Sequence, residues 1–83
     1  MPQNLSYDSA NWDNVKAFLA LYRERDYQAA AESLGIDGST LRRKMQSLEA
    51  FLGYSLFVRE NNRWALAPGT EDVLKAALDM ESA

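Results

Sequence analysis

The chain has 83 residues, of which 47% are hydrophobic and 25% charged, and this composition is typical of one small folded domain. It contains no cysteine and no histidine, which excludes a disulfide framework, a zinc site built from these residues and histidine-based catalysis. No apolar run approaches the length that spans a bilayer, and the N-terminus lacks a signal-peptide pattern. We therefore expect a cytoplasmic protein that is not an enzyme, has no cofactor or metal and does not contact a membrane.

The charge is distributed unevenly along the sequence. The whole chain has nine basic and twelve acidic residues and a net charge of −3. Residues 39–63 reverse this balance, with two acids (Glu49 and Glu60) against five bases: Arg42, Arg43, Lys44, Arg59 and Arg63. Since salt screens exposed charges beyond about 8 Å, this local positive excess determines what the segment attracts.

The first ten residues differ in pattern from those that follow. Residues 1–10 are polar and aperiodic, and we expect a flexible N-terminal arm there. Asn11 suits a helix N-cap. Behind it, apolar residues at helical spacing predict one buried face: Trp12, Val15, Phe18, Leu19 and Tyr22. This first helix is predicted to end at Glu24 or Arg25.

Two further helices follow. Asp26 is a predicted N-cap, and Gly35 ends a short helix in which Ala30 and Ala31 leave room for another helix to approach closely. Asp37 or Ser39 starts the third helix, which Gly53 ends. On a helical wheel its apolar stripe consists of Leu41, Met45, Leu48 and Leu52. Arg43 lies on the opposite, exposed side, and Arg42 flanks it.

The remaining pattern predicts a hairpin and a last helix. Residues 56–58 and 64–66 form two short strands, and Asn61 and Asn62 tolerate the positive φ of a turn between them. Residues 70–82 form a C-terminal helix. The fold class is therefore mainly α: a winged helix-turn-helix with three helices, a two-stranded wing and a C-terminal helix. In such a fold the third helix, about residues 38–52, enters the major groove of DNA and the wing, residues 56–66, meets the backbone.

Several motifs occur in a fixed order between Trp12 and about Thr70. They are Phe18, "YQAAAESLGI", "STLRRKMQSLEAFLG", "LFVR" and "LAPGT", and the spacing of Leu48-Glu49, Leu52-Gly53 and Leu56-Phe57-x-Arg59 is the most specific part. Together they resemble the N-terminal DNA-binding domain of LysR-type transcriptional regulators. The resemblance implies a bacterial regulator of transcription that binds double-stranded DNA as a dimer or tetramer.

The resemblance also implies a division of the chain. We expect an arm at residues 1–10, the winged helix-turn-helix at 11–67, and a truncated linker helix at 68–83 through which two copies form a homodimer. Members of the family carry a separate effector-binding domain, so no small-molecule effector site is expected within these residues.

Eight residues are the candidate DNA contacts: Gln28, Ser39, Thr40, Arg42, Arg43, Gln46, Arg59 and Arg63. Arg43 matches a family position that contacts DNA, and Arg42 suits the O6 and N7 atoms of a guanine. Several candidates have an alternative role, which for Arg43 and Gln46 is a solvated surface side chain. Ser39 and Thr40 suit a helix cap, Arg42 an ion pair with Glu49 or Asp37, and Arg59 an ion pair with Glu49.

An alternative function remains open at this point. Gly38 stands where the family usually has a glutamine that reaches a base edge, and Asp37 places a carboxylate near the expected phosphates unless it caps the helix. These departures and the acidic composition favour a protein-interaction winged helix that has lost DNA binding. The exposed Arg42 and Arg43 favour DNA.

Overall fold

A computed structural model of the chain describes residues 9–82. Its elements follow the order α1 (Ser9–Glu24), α2 (Tyr27–Leu34), α3 (Gly38–Leu52), β1 (Phe57–Glu60), β2 (Arg63–Leu66) and α4 (Glu71–Ser82). The predicted winged helix-turn-helix is confirmed: α2 and α3 are the helix-turn-helix, and the antiparallel pair β1–β2 is the wing. No helix within these residues is long and apolar enough to cross a membrane.

Carboxylates and glycines set the ends of α2 and α3. Asp26 accepts a hydrogen bond of 2.9 Å from the amide three residues further on, and Asp37 accepts one of 2.8 Å in the same way. Gly35 and Gly53 end the two helices with φ of 71° and 89°, a left-handed conformation that favours glycine. The predicted caps are confirmed, and Asp37 rather than Ser39 is the N-cap of α3.

The core lies between α1, α2 and α3. From α3 it receives the predicted stripe of Leu41, Met45, Leu48 and Leu52, and from α1 it receives Val15, Phe18, Leu19 and Leu21. Ala30 and Ala31 of α2 are 0% and 2% exposed, so these small side chains lie where the helices approach each other. Tyr22 was expected on the buried face but is 37% exposed, whereas its neighbour Leu21 in the same turn of α1 is fully buried.

The wing is a tight hairpin whose base reaches the core. Asn61 and Asn62 form its turn with φ of 51° and 65°, as predicted. Glu60 lies opposite Arg63, so β1 extends two residues and β2 one residue closer to the turn than the sequence pattern indicated. The Phe57 ring packs on that of Phe18 with centroids 5.5 Å apart, which anchors β1 to α1.

Leu56 connects α3 to the base of the wing, where β1 begins and β2 ends. Its amide donates to the Glu49 carboxylate at 2.8 Å, and its carbonyl accepts from the Ala67 amide at 2.8 Å. Because its amide bonds the Glu49 side chain instead of a strand partner, the strand pairing begins at Phe57, and Leu56 precedes β1 in contrast to the prediction. It is fully buried.

The last helix packs back on α1. Thr70 precedes α4, and its hydroxyl donates to the Ala67 carbonyl at 2.6 Å. Val73, Ala77 and Met80 are buried. At the far end, Arg23 of α1 donates two hydrogen bonds, of 2.8 and 2.6 Å, to the Glu81 carboxylate.

The start of α1 differs from the prediction. The helix includes Ser9 and Ala10, ahead of the expected N-cap Asn11. Neither residue breaks a helix, and alanine is the strongest helix former, so helical structure continues through them. The remainder of the predicted arm, residues 1–8, lies outside the described residues, and the proposed division into arm, domain and linker stays a prediction.

Candidate nucleic-acid interface

The exposed side of α3 is polar and basic. Ser39, Arg42, Arg43 and Gln46 are all exposed, whereas the stripe on the other side is buried. Because residues three and four apart share a helix face, these side chains form one continuous surface along two turns. Lys44 is half-buried and lines a groove with Lys16 of α1, so it lies apart from this surface.

Asp37 organises the first turn of α3. One of its carboxylate oxygens accepts from the Thr40 amide at 2.8 Å and from the Ser39 hydroxyl at 3.2 Å. Hydrogen bonds from Thr40 are the main reason why the pKa of this carboxyl lies below its ordinary value, and the charge of Arg43 lowers it further. The carboxylate of Asp37, whose negative charge argued against DNA binding in the sequence, is thus a helix cap.

Tyr27 and Trp64 form an aromatic bridge between the helix-turn-helix and the wing. Their rings meet edge to face, with centroids 5.4 Å apart and an angle of 87°. The Arg42 guanidinium lies 4.4 Å from the centre of the Tyr27 ring, and that of Arg59 lies 5.2 Å from the Trp64 ring. At exposed sites each such contact contributes about 0.5–1 kcal/mol. The aromatic bridge therefore connects an arginine of α3 to an arginine of the wing through two ring contacts.

The turn between α1 and α2 is hydrogen-bonded to β2. The Trp64 amide donates to the Arg25 carbonyl at 2.9 Å, and Nε of Arg25 donates to the Trp64 carbonyl at 3.3 Å. Arg63 donates through Nη2 to the Glu24 carbonyl at 3.1 Å. This carbonyl lies at the C-terminal end of α1, where a cation is favoured. The wing is thus fixed against the turn by three hydrogen bonds.

The structure places the eight candidate residues on two neighbouring parts of the surface. All are exposed except Thr40, which is half-buried. Gln28 lies in the first turn of α2, next to Tyr27. The aromatic bridge connects Arg42 to Arg59, whereas Arg63 donates a hydrogen bond to the Glu24 carbonyl at the end of α1.

The ion pairs expected as alternatives do not form. Glu49 bonds the Leu56 amide instead of an arginine. Within residues 9–82 the ion pairs are Asp13–Lys16, Arg23–Glu81 and Lys75–Asp79, and none of them lies on α3 or the wing. The arginines of α3 and the wing therefore carry positive charge that no ion pair in the described part of the chain neutralises.

The family model of bacterial regulatory helix-turn-helix proteins, lysR family, matches residues 12–71. The match covers the helix-turn-helix, the wing and the first residue of α4. The chain belongs to the lysR family. In this lysR-family domain α3 occupies the recognition-helix position of the helix-turn-helix.

Two regulators illustrate the similarity in sequence. The iron-regulated virulence regulatory protein IrgB of Vibrio cholerae is 44% identical over 57 residues, which are 69% of this chain and 19% of that protein. The HTH-type transcriptional activator IlvY of Salmonella typhimurium is 37% identical over 60 residues, 72% of this chain and 20% of that protein. The lysR-family domain thus spans about a fifth of the curated relatives it matches.

Two solved structures illustrate the similarity in fold, and both contain DNA. The CbnR DBD–DNA complex has a TM-score of 0.77 and 28% identity, covering 86% of this chain and 82% of that one. The complex of the BenM DBD with benA site 1 DNA has a TM-score of 0.78 and 27% identity, covering 86% and 80%. The lysR-family domain therefore shares its architecture with domains that have been crystallised on DNA.

Sequence reasoning missed Arg25 and the part played by Tyr27. Arg25 appeared only as a possible end of the first helix, and Tyr27 only as a packing residue. The one local signal is the position of Arg25 directly before the N-cap Asp26, where a short turn must reverse the chain. Nothing local points to Trp64, which lies 39 positions away.

Proposed function

We propose that this lysR-family domain binds double-stranded DNA in a sequence-specific manner, as the DNA-binding part of a bacterial transcription regulator. The observation that carries the proposal is the exposed basic surface of α3, joined to the wing by the aromatic bridge, in the same fold as the DNA-bound CbnR and BenM domains. In this arrangement α3 enters the major groove and the wing follows the sugar-phosphate backbone.

Base recognition falls to the exposed side chains of α3. The Arg42 guanidinium lies over the Tyr27 ring and has no ion-pair partner in the described residues, so its N–H donors are available for the O6 and N7 of a guanine. Arg43 and Gln46 lie on the same surface and reach neighbouring base edges or phosphates. Gly38 offers no side chain, so specificity rests more heavily on Arg42 than in relatives with a glutamine there.

Backbone contacts come from helix N-termini and the wing. Gln28 in the first turn of α2, and Ser39 and Thr40 in that of α3, lie where backbone amides and the helix dipole favour phosphate. Arg59 and Arg63 extend this set from the wing. These contacts position the domain without selecting a sequence.

Pairing of two domains completes the proposal. The chain carries a net charge of −3, so its sequence-independent attraction to phosphate is weak. Leu74 and Leu78 of α4 are only half-buried and offer apolar surface to a second copy. A homodimer through α4 would address two half-sites at once, in the bacterial cytoplasm where operator DNA lies.

The test is fluorescence anisotropy of the domain with a pool of randomised duplexes at several salt concentrations. We expect log affinity to fall linearly with log salt, with a slope of about −0.9 for each phosphate neutralised. An Arg42→Ala/Arg43→Ala double variant should lose at least about tenfold in affinity, since each arginine contact is worth about 1–3 kcal/mol.

A matched control separates the surface of α3 from charge in general. The Lys16→Ala/Lys75→Ala double variant removes the same charge from α1 and α4, and it should bind almost as well as the parent. No binding at low salt, even by a dimerised form of the domain, would contradict DNA binding and favour a protein-interaction module.

A further inference from the structure

We propose that Arg25 is a positioning residue of the DNA interface, which fixes the wing, and with it Arg59, relative to α3. The inference rests on the proposed DNA binding and adds to it a residue that lies on neither α3 nor the wing. Arg25 acts through Trp64, the residue whose ring carries the Arg59 guanidinium.

Arg25 supplies two of the three hydrogen bonds between the α1–α2 turn and β2. Its carbonyl accepts from the Trp64 amide, and its Nε returns a hydrogen bond to the Trp64 carbonyl. The Arg25 amide is not available for this contact, because it donates to the Leu21 carbonyl of α1 at 2.8 Å. The hydrogen bond from Arg25 to the Trp64 carbonyl, of 3.3 Å, therefore comes from its side chain.

The backbone of Arg25 indicates that this side chain matters. Its φ is 61°, in the left-handed region that a residue with a Cβ adopts at a cost and glycine adopts freely. A strained residue persists where its surroundings hold it in place. Glycine would suit the turn better, so the benefit of arginine here lies in the bond from its side chain to β2.

The position of Trp64 determines that of Arg59. The two residues lie opposite each other in the register of the hairpin, and the guanidinium of Arg59 lies over the indole ring. The same indole meets the Tyr27 ring edge to face, and the Arg42 guanidinium lies over that Tyr27 ring. A β2 strand released from the turn would loosen this series of contacts, and Arg59 would lose its fixed separation from Arg42.

The first experiment examines the free protein. Arg25→Gly keeps the turn conformation and the Trp64 amide bond but removes the guanidinium. We expect exchange of the Trp64 amide hydrogen, followed by NMR, to become about threefold to tenfold faster, the factor that one hydrogen bond accounts for. The melting temperature should not fall, because relief of the left-handed strain offsets the lost bond. Lys75→Gln, which removes an equal charge from α4, should leave exchange at Trp64 unchanged.

The second experiment is a double-mutant cycle for binding to a selected duplex. In the parent, Arg25→Gly should weaken binding about threefold to tenfold, whereas in an Arg59→Ala background it should change binding by less than about twofold, because its effect passes through Arg59. Equal losses in the two backgrounds would mean that Arg25 contacts DNA itself, and would overturn the positioning role. Unchanged exchange at Trp64 would overturn it as well.

The two measurements keep this inference distinct from the proposed function. A parent that binds no duplex overturns DNA binding and, with it, a positioning role toward DNA. The exchange measurement needs no DNA and still decides whether Arg25 holds the wing.

Discussion

At the level of single residues, the arginines differ in what their guanidinium groups touch. Arg23 donates two hydrogen bonds to the Glu81 carboxylate, and Arg63 donates one to the Glu24 carbonyl at the end of α1. Arg42 and Arg59 instead lie over aromatic rings, are exposed to solvent and form no ion pair within the described residues. Since only the last arrangement combines a fixed position with free donors, these two arginines are best suited to bind DNA.

Arg42→Lys tests this distinction. Lysine keeps the charge but loses the planar stacking on Tyr27 and the paired donors. We expect affinity for the selected duplex to fall by about 1–3 kcal/mol while the slope of log affinity against log salt stays nearly constant. Anisotropy titrations at four salt concentrations measure both quantities. Lys16→Arg serves as a control off the surface, and a variant that binds as tightly as the parent would show that Arg42 contributes only its charge.

Asp37 combines a structural benefit with an electrostatic penalty near phosphate. Asp37→Asn retains a cap and removes the negative charge, so we expect a smaller fall in melting temperature at pH 7 than for Asp37→Ala, and tighter binding to DNA. Asp37→Ala loses the cap, and its melting temperature should fall by about 5 °C. Thermal melts and anisotropy on the same two variants provide the comparison. Weaker binding by the asparagine variant would indicate that Asp37 itself accepts from DNA, for example from a cytosine amino group.

The stability of the domain should depend on acid pH through two carboxylates. Hydrogen bonds from Thr40 lower the pKa of Asp37, and those from Arg23 lower the pKa of Glu81. A lowered folded-state pKa means that the stabilisation is complete above the ordinary carboxyl pKa, about 4, and is lost as the pH falls through the folded-state value. Melts from about pH 6 to about pH 2 should therefore fall less steeply for Asp37→Asn/Glu81→Gln than for the parent. Parallel curves would contradict this assignment.

At the level of elements, small side chains determine how closely α2 approaches its neighbours. Ala30 and Ala31 are buried against the core, and Asp26 and Gly35 limit the helix to eight residues. A short α2 turns the chain at once into α3, which directs the N-terminal end of α3 outward. Helix spacing and helix length together thus determine where the basic surface lies.

Ala30→Leu tests the spacing. The extra methyl groups have no room at a position that is 0% exposed, and we expect a loss of about 1–3 kcal/mol in the free energy of unfolding. Ala50→Leu, on the exposed side of α3, should change it by less than about 0.5 kcal/mol. Urea unfolding followed by tryptophan fluorescence measures both. Equal stability of the two variants would show that α2 can move away without loss.

At the level of the whole molecule, unpaired positive charge is concentrated on α3 and the wing although the net charge of the chain is negative. The chain is acidic, with nine basic against twelve acidic residues, yet the basic ones on α3 and the wing have no ion-pair partner in the described residues. Glu71 and Asp72 lie in the first turn of α4, where negative charge stabilises a helix. Such a molecule should bind DNA tightly only where its specific contacts are satisfied.

A tethered dimer tests this expectation. Joining two domains through a flexible linker after α4 makes the second binding event intramolecular, so affinity for a duplex with two half-sites should rise about 10²–10⁴-fold. Affinity for a single half-site should rise no more than about twofold, the statistical factor for two equivalent domains. Anisotropy with the two duplexes distinguishes these outcomes. An equal increase on both would point to charge-driven, sequence-independent binding instead.

Much of this molecule was predictable from residues close together in the chain. The caps Asp26 and Asp37, the terminators Gly35 and Gly53, the stripe of α3 and the turn at Asn61 and Asn62 all depend on interactions across a few positions. The exposed position of Arg42 and Arg43 follows from helical periodicity alone. The order of these elements then predicted a winged helix-turn-helix, and the motifs added the resemblance to one family.

The contacts that shape the candidate interface depend on the tertiary structure. Arg25 meets Trp64 from 39 positions away, and Arg23 meets Glu81 from 58. Tyr27 lies between Arg42 and Trp64 only because α2, α3 and the wing converge on one edge of the core. Local propensities determine each element but not the path by which the chain brings distant elements together. Burial of the shared core determines that path, and with it the partners of every arginine on the surface.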